Sequence, residues 1–350
     1  MSRGGDGAGA GRSWRPWSAV LATALLVRVA IVAITPLVIA WPDGREYQAI
    51  ARSLVEHGTY GGQTLRPPGY PTLMAAVFSA FGPSLLALRL VEALLGTLAV
   101  AIVGAVGASV FGPTAGLVAA GLMALHPILA FLPATQYSEN TLVLVLALAF
   151  AAVFTGWRRG GLWRWAAAGV LFGLAALIRP NTVVLLPGLG LGLLPAMRRA
   201  GRGWIGPALV AAASLALTVA PWIVRNHRVH GEWFFVATGG GRQFWVGNNA
   251  RATGDTRAPT QWNAAEVDSL RAHPDEIARE RWYYREGMRF VRDEPGRAAW
   301  LYLVRLGNLF ALWPETYSRT AYVSVWSRWA QGLASVAVFI YELTLSVPDL

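Results

Sequence analysis

Four ionisable side chains stand out because they lie where ionised groups are costly. Asp43 belongs to an acidic turn, Trp41-Pro42-Asp43-Gly44-Arg45-Glu46-Tyr47, directly after the first apolar run. Arg66 opens Arg66-Pro67-Pro68-Gly69-Tyr70-Pro71, Glu139 falls in Tyr137-Ser138-Glu139-Asn140, and Arg179 in Leu177-Ile178-Arg179-Pro180-Asn181, each beside a further apolar run. An acid or arginine at the centre of a bilayer costs roughly 2.5–3.5 kcal/mol on insertion scales, so such groups mark partners or chemistry. Carboxylates and guanidiniums ranged along one membrane face suit an anionic, lipid-bearing substrate. A carboxylate can take the proton of an attacking hydroxyl, and an arginine fork binds phosphate bidentately.

Each of these side chains also has a plainer reading. Asp43 followed by Glu46 at the start of a helix resembles a capping box. Arg66-Pro67-Pro68 is also a rigid turn into an apolar helix, a loop glutamate such as Glu139 ordinarily faces solvent, and Arg179 can snorkel from a helix end. Capping and catalysis are compatible, since a carboxylate held at a helix start is well positioned.

The elements that must carry these residues are membrane helices. The 350 residues are 55% hydrophobic and 14% charged, with a mean hydropathy of +0.42, too apolar for an ordinary soluble domain. Apolar runs at 17–40, 84–110, 113–133, 140–157, 161–178, 180–197, 204–224 and 326–346 are each expected to cross a core about 30 Å thick. The fold class is therefore an all-α polytopic membrane protein. Residues 1–16 read as a disordered cytoplasmic tail, 17–224 as the transmembrane core, 225–297 as an extracytoplasmic segment, and 298–350 as a membrane-associated stretch and a last span. The shorter apolar segment 68–82 is expected to be re-entrant or interfacial. Residues 44–58 have the spacing of an amphipathic helix lying along the interface, with Tyr47, Ile50, Ala51 and Leu54 on one face.

All 30 basic residues are arginine, and there is no cysteine. That excludes disulfides, thiolate metal sites and a cysteine nucleophile. The net charge of +11 comes largely from loop arginines and needs no nucleic-acid partner. Arg3, Arg12 and Arg15, then Arg158, Arg159 and Arg164, then Arg198, Arg199 and Arg202 fall in loops that the positive-inside rule puts in the cytoplasm. Asp43, Arg66, Glu139, Arg179 and Arg225 are then expected on the outer face.

The order of these segments carries more than any one of them. The acidic turn is followed by Arg66-Pro67-Pro68-Gly69-Tyr70-Pro71, Ser138-Glu139, Arg179-Pro180-Asn181, Pro221-Trp222-Ile223-Val224-Arg225-Asn226, Gly239-Gly240-Gly241 and Gly247-Asn248-Asn249. This succession resembles the GT-C glycosyltransferases of family 39, the protein O-mannosyltransferases and lipid A aminoarabinose transferases among them, over roughly residues 17–345. The resemblance implies a GT-C helix bundle. It implies Asp43 as the catalytic base, Glu139 as the second acid, and Arg66 and Arg179 as the cations for the carrier phosphate. Glu46, Tyr47, Arg225 and Asn226 are further substrate-site candidates. Three differences accompany it. Many relatives have Asp-Glu where this chain has Asp43-Gly44, the aminoarabinose branch has Glu-Lys-Pro where this chain has Leu65-Arg66-Pro67, and most relatives continue with several more spans.

The resulting expectation is an inverting membrane glycosyltransferase at the extracytoplasmic face of the plasma membrane. Its donor would be a polyprenyl-phosphate-linked sugar, and its acceptor a lipid, glycan or protein. The alternatives are a lipid or sugar transporter, a membrane phosphatase and a non-catalytic assembly subunit; a phosphatase's usual Lys and His motifs are missing. The residues point to no definite cofactor. A divalent metal shared by Asp43 and Glu139 stays open, although two carboxylates without histidine are a sparse donor set and the five histidines lack metal-ligand spacing. Gly239–Gly241 has no preceding strand or following helix of the kind phosphate loops need, and reads as a turn.

Overall fold

The computed structural model describes residues 7–39, 42–254, 271–273 and 275–309, and no β-strand occurs among them. The expected last span at 326–346 lies outside the described residues. Contacts divide the chain into two compact units: Met1–Gly61 with Pro67–Arg225, and Gly62–Arg66 with Asn226–Leu350.

The first unit holds ten helices: α1 (Gly7–Ile34), α2 (Pro42–His57), α3 (Gly69–Phe81), α4 (Leu85–Phe111), α5 (Pro113–Leu125), α6 (Pro127–Phe131), α7 (Glu139–Arg159), α8 (Leu162–Ile178), α9 (Leu185–Ala200) and most of α10 (Ile205–His230). Four are long and apolar enough to cross a membrane: Arg15–Ile34 of α1, α4, α7 and α10. The α5–α6 pair makes a fifth if it is one bent span. The protein is an integral multi-pass membrane protein.

Several helices depart from the expected bounds for local reasons. α1 runs back to Gly7, through residues expected to be a disordered tail. The expected span 113–133 bends by 58° between Leu125 and Pro127, because a residue before proline is pushed out of the helical region; His126 sits at ψ 116°. The run 180–197 begins as a 3₁₀ turn, Pro180–Val184, before α9 starts.

α4 is the spine of this unit, packed on α1, α5 and α7. Small residues let the backbones close up, as in membrane interfaces generally. A Cβ on Gly116 would lie 2.4 Å from the Ala108 nitrogen of α4, and one on Gly169 of α8 would lie 2.1 Å from the Ala211 oxygen of α10. α2 buries Tyr47, Ile50 and Ala51, the face its spacing assigns. Tyr47 and Ala51 join Tyr70, Met74 and Phe78 of α3 and Leu88 of α4 in one core cluster.

The second unit contains α11 (Gly240–Gly247), α12 (Glu276–Asp293) and α13 (Pro295–Leu309). Thr238 N–H donates to the Thr64 carbonyl, and Glu276 accepts from Thr64 N–H and the Thr238 hydroxyl. α11 packs on α12 through Trp245, Trp282 and Tyr283. Burial pushes the Tyr283 and Tyr284 phenols above the ordinary tyrosine range.

Candidate functional site

In the first unit, three of the segments singled out by residue type converge with the acidic turn. Asp43 lies in the first turn of α2. The next residue, Gly44, rests on the turn before α7: a Cβ there would stand 3.3 Å from Gln136 Cβ and 2.9 Å from Ile39 Cγ2. A side chain at position 44 would crowd both neighbours. Three residues beyond Gln136, Glu139 starts α7, where a carboxylate is favoured by the helix dipole.

Glu139 forms an ion pair with Arg179, the residue that ends α8. Arg179 Nε also donates to the Ser138 hydroxyl at 3.2 Å. The pair is about one-third exposed on both sides, so its value lies in orientation more than in stability. Its fork keeps further N–H donors for a ligand. The Pro67–Gly69 turn closes the group: a Cβ on Gly69 would meet the Ile178 backbone nitrogen at 3.0 Å and Ile178 Cγ1 at 2.6 Å. Only glycine lets this turn lie against the residue before Arg179.

Tyr47 is buried and meets Tyr70 edge-on, with ring centroids 5.1 Å apart. Glu46 is exposed on α2. Arg225 donates to the Gly61 carbonyl and lies over the rings of Trp222, at 4.6 Å, and Tyr60, at 5.5 Å. The Tyr60 hydroxyl in turn donates to the Pro67 carbonyl at 3.1 Å, which links Arg225 to the same turn.

Two candidates belong to the second unit. Arg66 follows Gln63, whose side chain accepts its backbone N–H. Asn226 is fully buried, and its amide donates to the carbonyls of Phe235 and Val236. Gly239–Gly241 forms the start of α11, with Gly239 at φ 99°. A short helix does follow these glycines, contrary to the sequence expectation. Its first N–H groups are filled by Glu280, which accepts from Gly239 and Gly241 at 2.9 and 2.8 Å.

Three buried charges were overlooked in the sequence. Arg89 of α4 donates to the carbonyls of Thr35, Pro36 and Val38 at 3.0–3.1 Å, and so ties down the chain that leads into α2. One turn on, Glu92 accepts from the Asn140 amide and from the Thr141 hydroxyl at 2.9 Å, which locks the first turn of α7. Arg28 of α1 donates to the carbonyls of Ala24 and Ala124. The signal for all three was an ionisable residue inside an apolar run. Among the described residues, no three His, Asp or Glu side chains cluster as a metal site would require.

Residues 65–224 match the family of dolichyl-phosphate-mannose-protein mannosyltransferases. Over nearly its whole length the chain also superposes on crystal structures of ArnT from Cupriavidus metallidurans. With the undecaprenyl phosphate-bound form the TM-score is 0.54 at 18% identity, covering 95% of this chain and 60% of that one. The fold is GT-C. The apo form of the same protein gives a TM-score of 0.54 at 15% identity, covering 97% of this chain and 61% of ArnT. The GT-C chain described here thus spans about three-fifths of the solved proteins it matches. No curated protein sequence matches it.

Proposed function

We propose that this GT-C protein transfers a sugar from a polyprenyl-phosphate carrier to an acceptor hydroxyl on the extracytoplasmic face, with inversion at the anomeric carbon. The observation that carries this reading is the convergence, in one unit, of the Asp43 turn, the Glu139–Arg179 pair and the Pro67–Gly69 turn. The family match and the undecaprenyl phosphate bound to ArnT support the class of donor.

The roles follow from charge. The acceptor oxygen attacks the anomeric carbon, its proton passes to the Asp43 carboxylate, and the bond between that carbon and the carrier phosphate breaks. The departing phosphate carries the negative charge, which the Arg179 fork meets while Glu139 and Ser138 fix its plane. Arg66 is a candidate carrier-phosphate cation only through its place in the Arg-Pro-Pro-Gly motif. The lipid phosphate takes the place of a nucleotide, so no nucleotide cradle is needed.

The test is Asp43→Asn, assayed with a polyprenyl-phosphate sugar on purified protein. Turnover should fall by on the order of 10²-fold or more if a general base is lost. Because α2 starts at Pro42, Asp43 is a first-turn residue and not the expected cap; losing its interaction with the helix dipole costs only about 0.3–1 kcal/mol, so full turnover in a slightly destabilised variant would remove Asp43 from the chemistry. The outer-face assignment is checked separately in the cysteine-free chain. A cysteine at Gly61 should react with an impermeant maleimide in intact cells, and one at Gly201 only after permeabilisation; the reverse pattern would overturn it.

A further inference from the structure

At the end of α7 opposite Glu139, the helices of the first unit part. α7 is 21 residues long, so this end lies about 30 Å from the Glu139–Arg179 pair at 1.5 Å rise per residue. Two adjoining cavities share Trp157, Trp165 and Trp204 as walls. One, of about 340 Å³, lies among the helix ends beside Gly160, Gly161 and Gly203. The other, of about 230 Å³, runs along α9 between Phe172, Leu186, Leu189, Leu193 and Leu215. Gly190 lines this second cavity, and a Cβ on it would meet nothing within 4 Å.

The rim is strongly cationic. The connections 158–164 and 198–204 contain six arginines and no acid. Arg158 and Arg164 are used internally, donating to the carbonyls of Ser109 and Gly160. Arg159, Arg198, Arg199 and Arg202 are exposed, and no hydrogen bond or ion pair engages their side chains among the described residues. A topogenic role explains basic residues in a loop, but not exposed arginines placed one residue before Gly160, Ala200 and Gly203, which line the mouth of a tryptophan-walled cleft that becomes mostly apolar along α9. That gradient has the shape of a lipid.

We infer that this cleft holds one anionic glycerophospholipid of the surrounding leaflet. Its phosphate lies among Arg159, Arg199 and Arg202, whose forks suit phosphate oxygens. The three tryptophans flank its glycerol region at the depth where indoles favour the membrane interface, and one acyl chain fills the cavity along α9. This site is separate from the transfer chemistry and stands whether or not that assignment holds.

The experiment is native mass spectrometry of the 350-residue protein released from nanodiscs of equal phosphatidylglycerol and phosphatidylcholine. The wild-type protein should retain a single phosphatidylglycerol in preference to phosphatidylcholine. Arg199→Ala with Arg202→Ala should lower that retention about tenfold or more. Gly190→Leu, which fills the apolar cavity and leaves every arginine in place, should lower it as well. Gly188→Leu makes the same change on the same helix, in open space and away from the cleft, and should retain lipid like the wild type. Equal retention of the two phospholipids, or undiminished retention in Gly190→Leu, would overturn the inference and leave the arginines as a diffuse surface charge.

Discussion

Replacing Arg89 by methionine tests whether α4 sets the position of the acidic turn. The guanidinium is 1% exposed and donates to three carbonyls, those of Thr35, Pro36 and Val38. Hydrogen bonds to a charged group are worth about 1.5–3 kcal/mol each, but two terms reduce their sum. Leu37 and Val38 are more than half exposed, so water can take over part of the carbonyl bonding. Arg89 Nε is already buried without a partner, and methionine removes that unsatisfied donor. A net loss of about 2–4 kcal/mol is expected, with Arg89→Lys between the two because an ammonium keeps the charge but not the fork. Hydrogen–deuterium exchange should speed up in 35–39 and 42–46 before it does so in α7, and unfolding in detergent should shift accordingly. Misplacement of a reacting group by about 1 Å costs up to 10²-fold in rate, so turnover should fall by about 10–100-fold while binding of the product lipid changes little. Unchanged exchange in both segments, with a stability change within about 0.5 kcal/mol, would refute the reasoning.

Arg179→Ala should weaken binding of the polyprenyl-phosphate product as well as turnover, and Arg179→Lys should fall between. Product-lipid affinity on monodisperse protein is the measurement, and equal affinity in all three forms would leave Arg179 as a snorkelling anchor. Glu92→Met removes the acceptor of both the Asn140 amide and the Thr141 hydroxyl, which should cost about 1–3 kcal/mol. Thermal unfolding, with faster exchange confined first to residues 139–143, checks it; a change spread evenly over the bundle would argue against a local lock.

What was legible in the sequence depended on the range of the signal. The α2 face was readable because Tyr47, Ile50, Ala51 and Leu54 repeat at helical spacing within eleven residues of Asp43. Glu139 and Arg179 were readable as residue types at span ends. Their pairing was not, because α7 and α8 intervene and nothing local says that the start of one meets the end of the other. Arg28, Arg89 and Glu92 were hidden by averaging: one charge in the run 17–40, or two in a run as apolar as 84–110, barely alter the mean, yet they fix which helices must meet. The bend at His126 was a local signal in Pro127, masked by the continuous hydropathy of 113–133. Glycines mislead for a related reason. Gly44 and Gly69 read as turn residues, whereas the structure needs their missing side chains for close contact with Gln136 and Ile178.

Gln136, the residue beneath Gly44, is the one non-glycine among the described residues with a left-handed backbone, at φ 58°. It is 2% exposed; its amide donates to the Ala134 carbonyl, and its Oε1 is buried with no partner. A left-handed L-residue costs about 1–2 kcal/mol, and the stranded oxygen adds to that. Glycine would relieve both, but would remove the Cβ on which the start of α2 rests. Heat-resistance selection and turnover selection would therefore pull position 136 in opposite directions, the usual conflict where a protein holds a working group in place at the expense of its own stability.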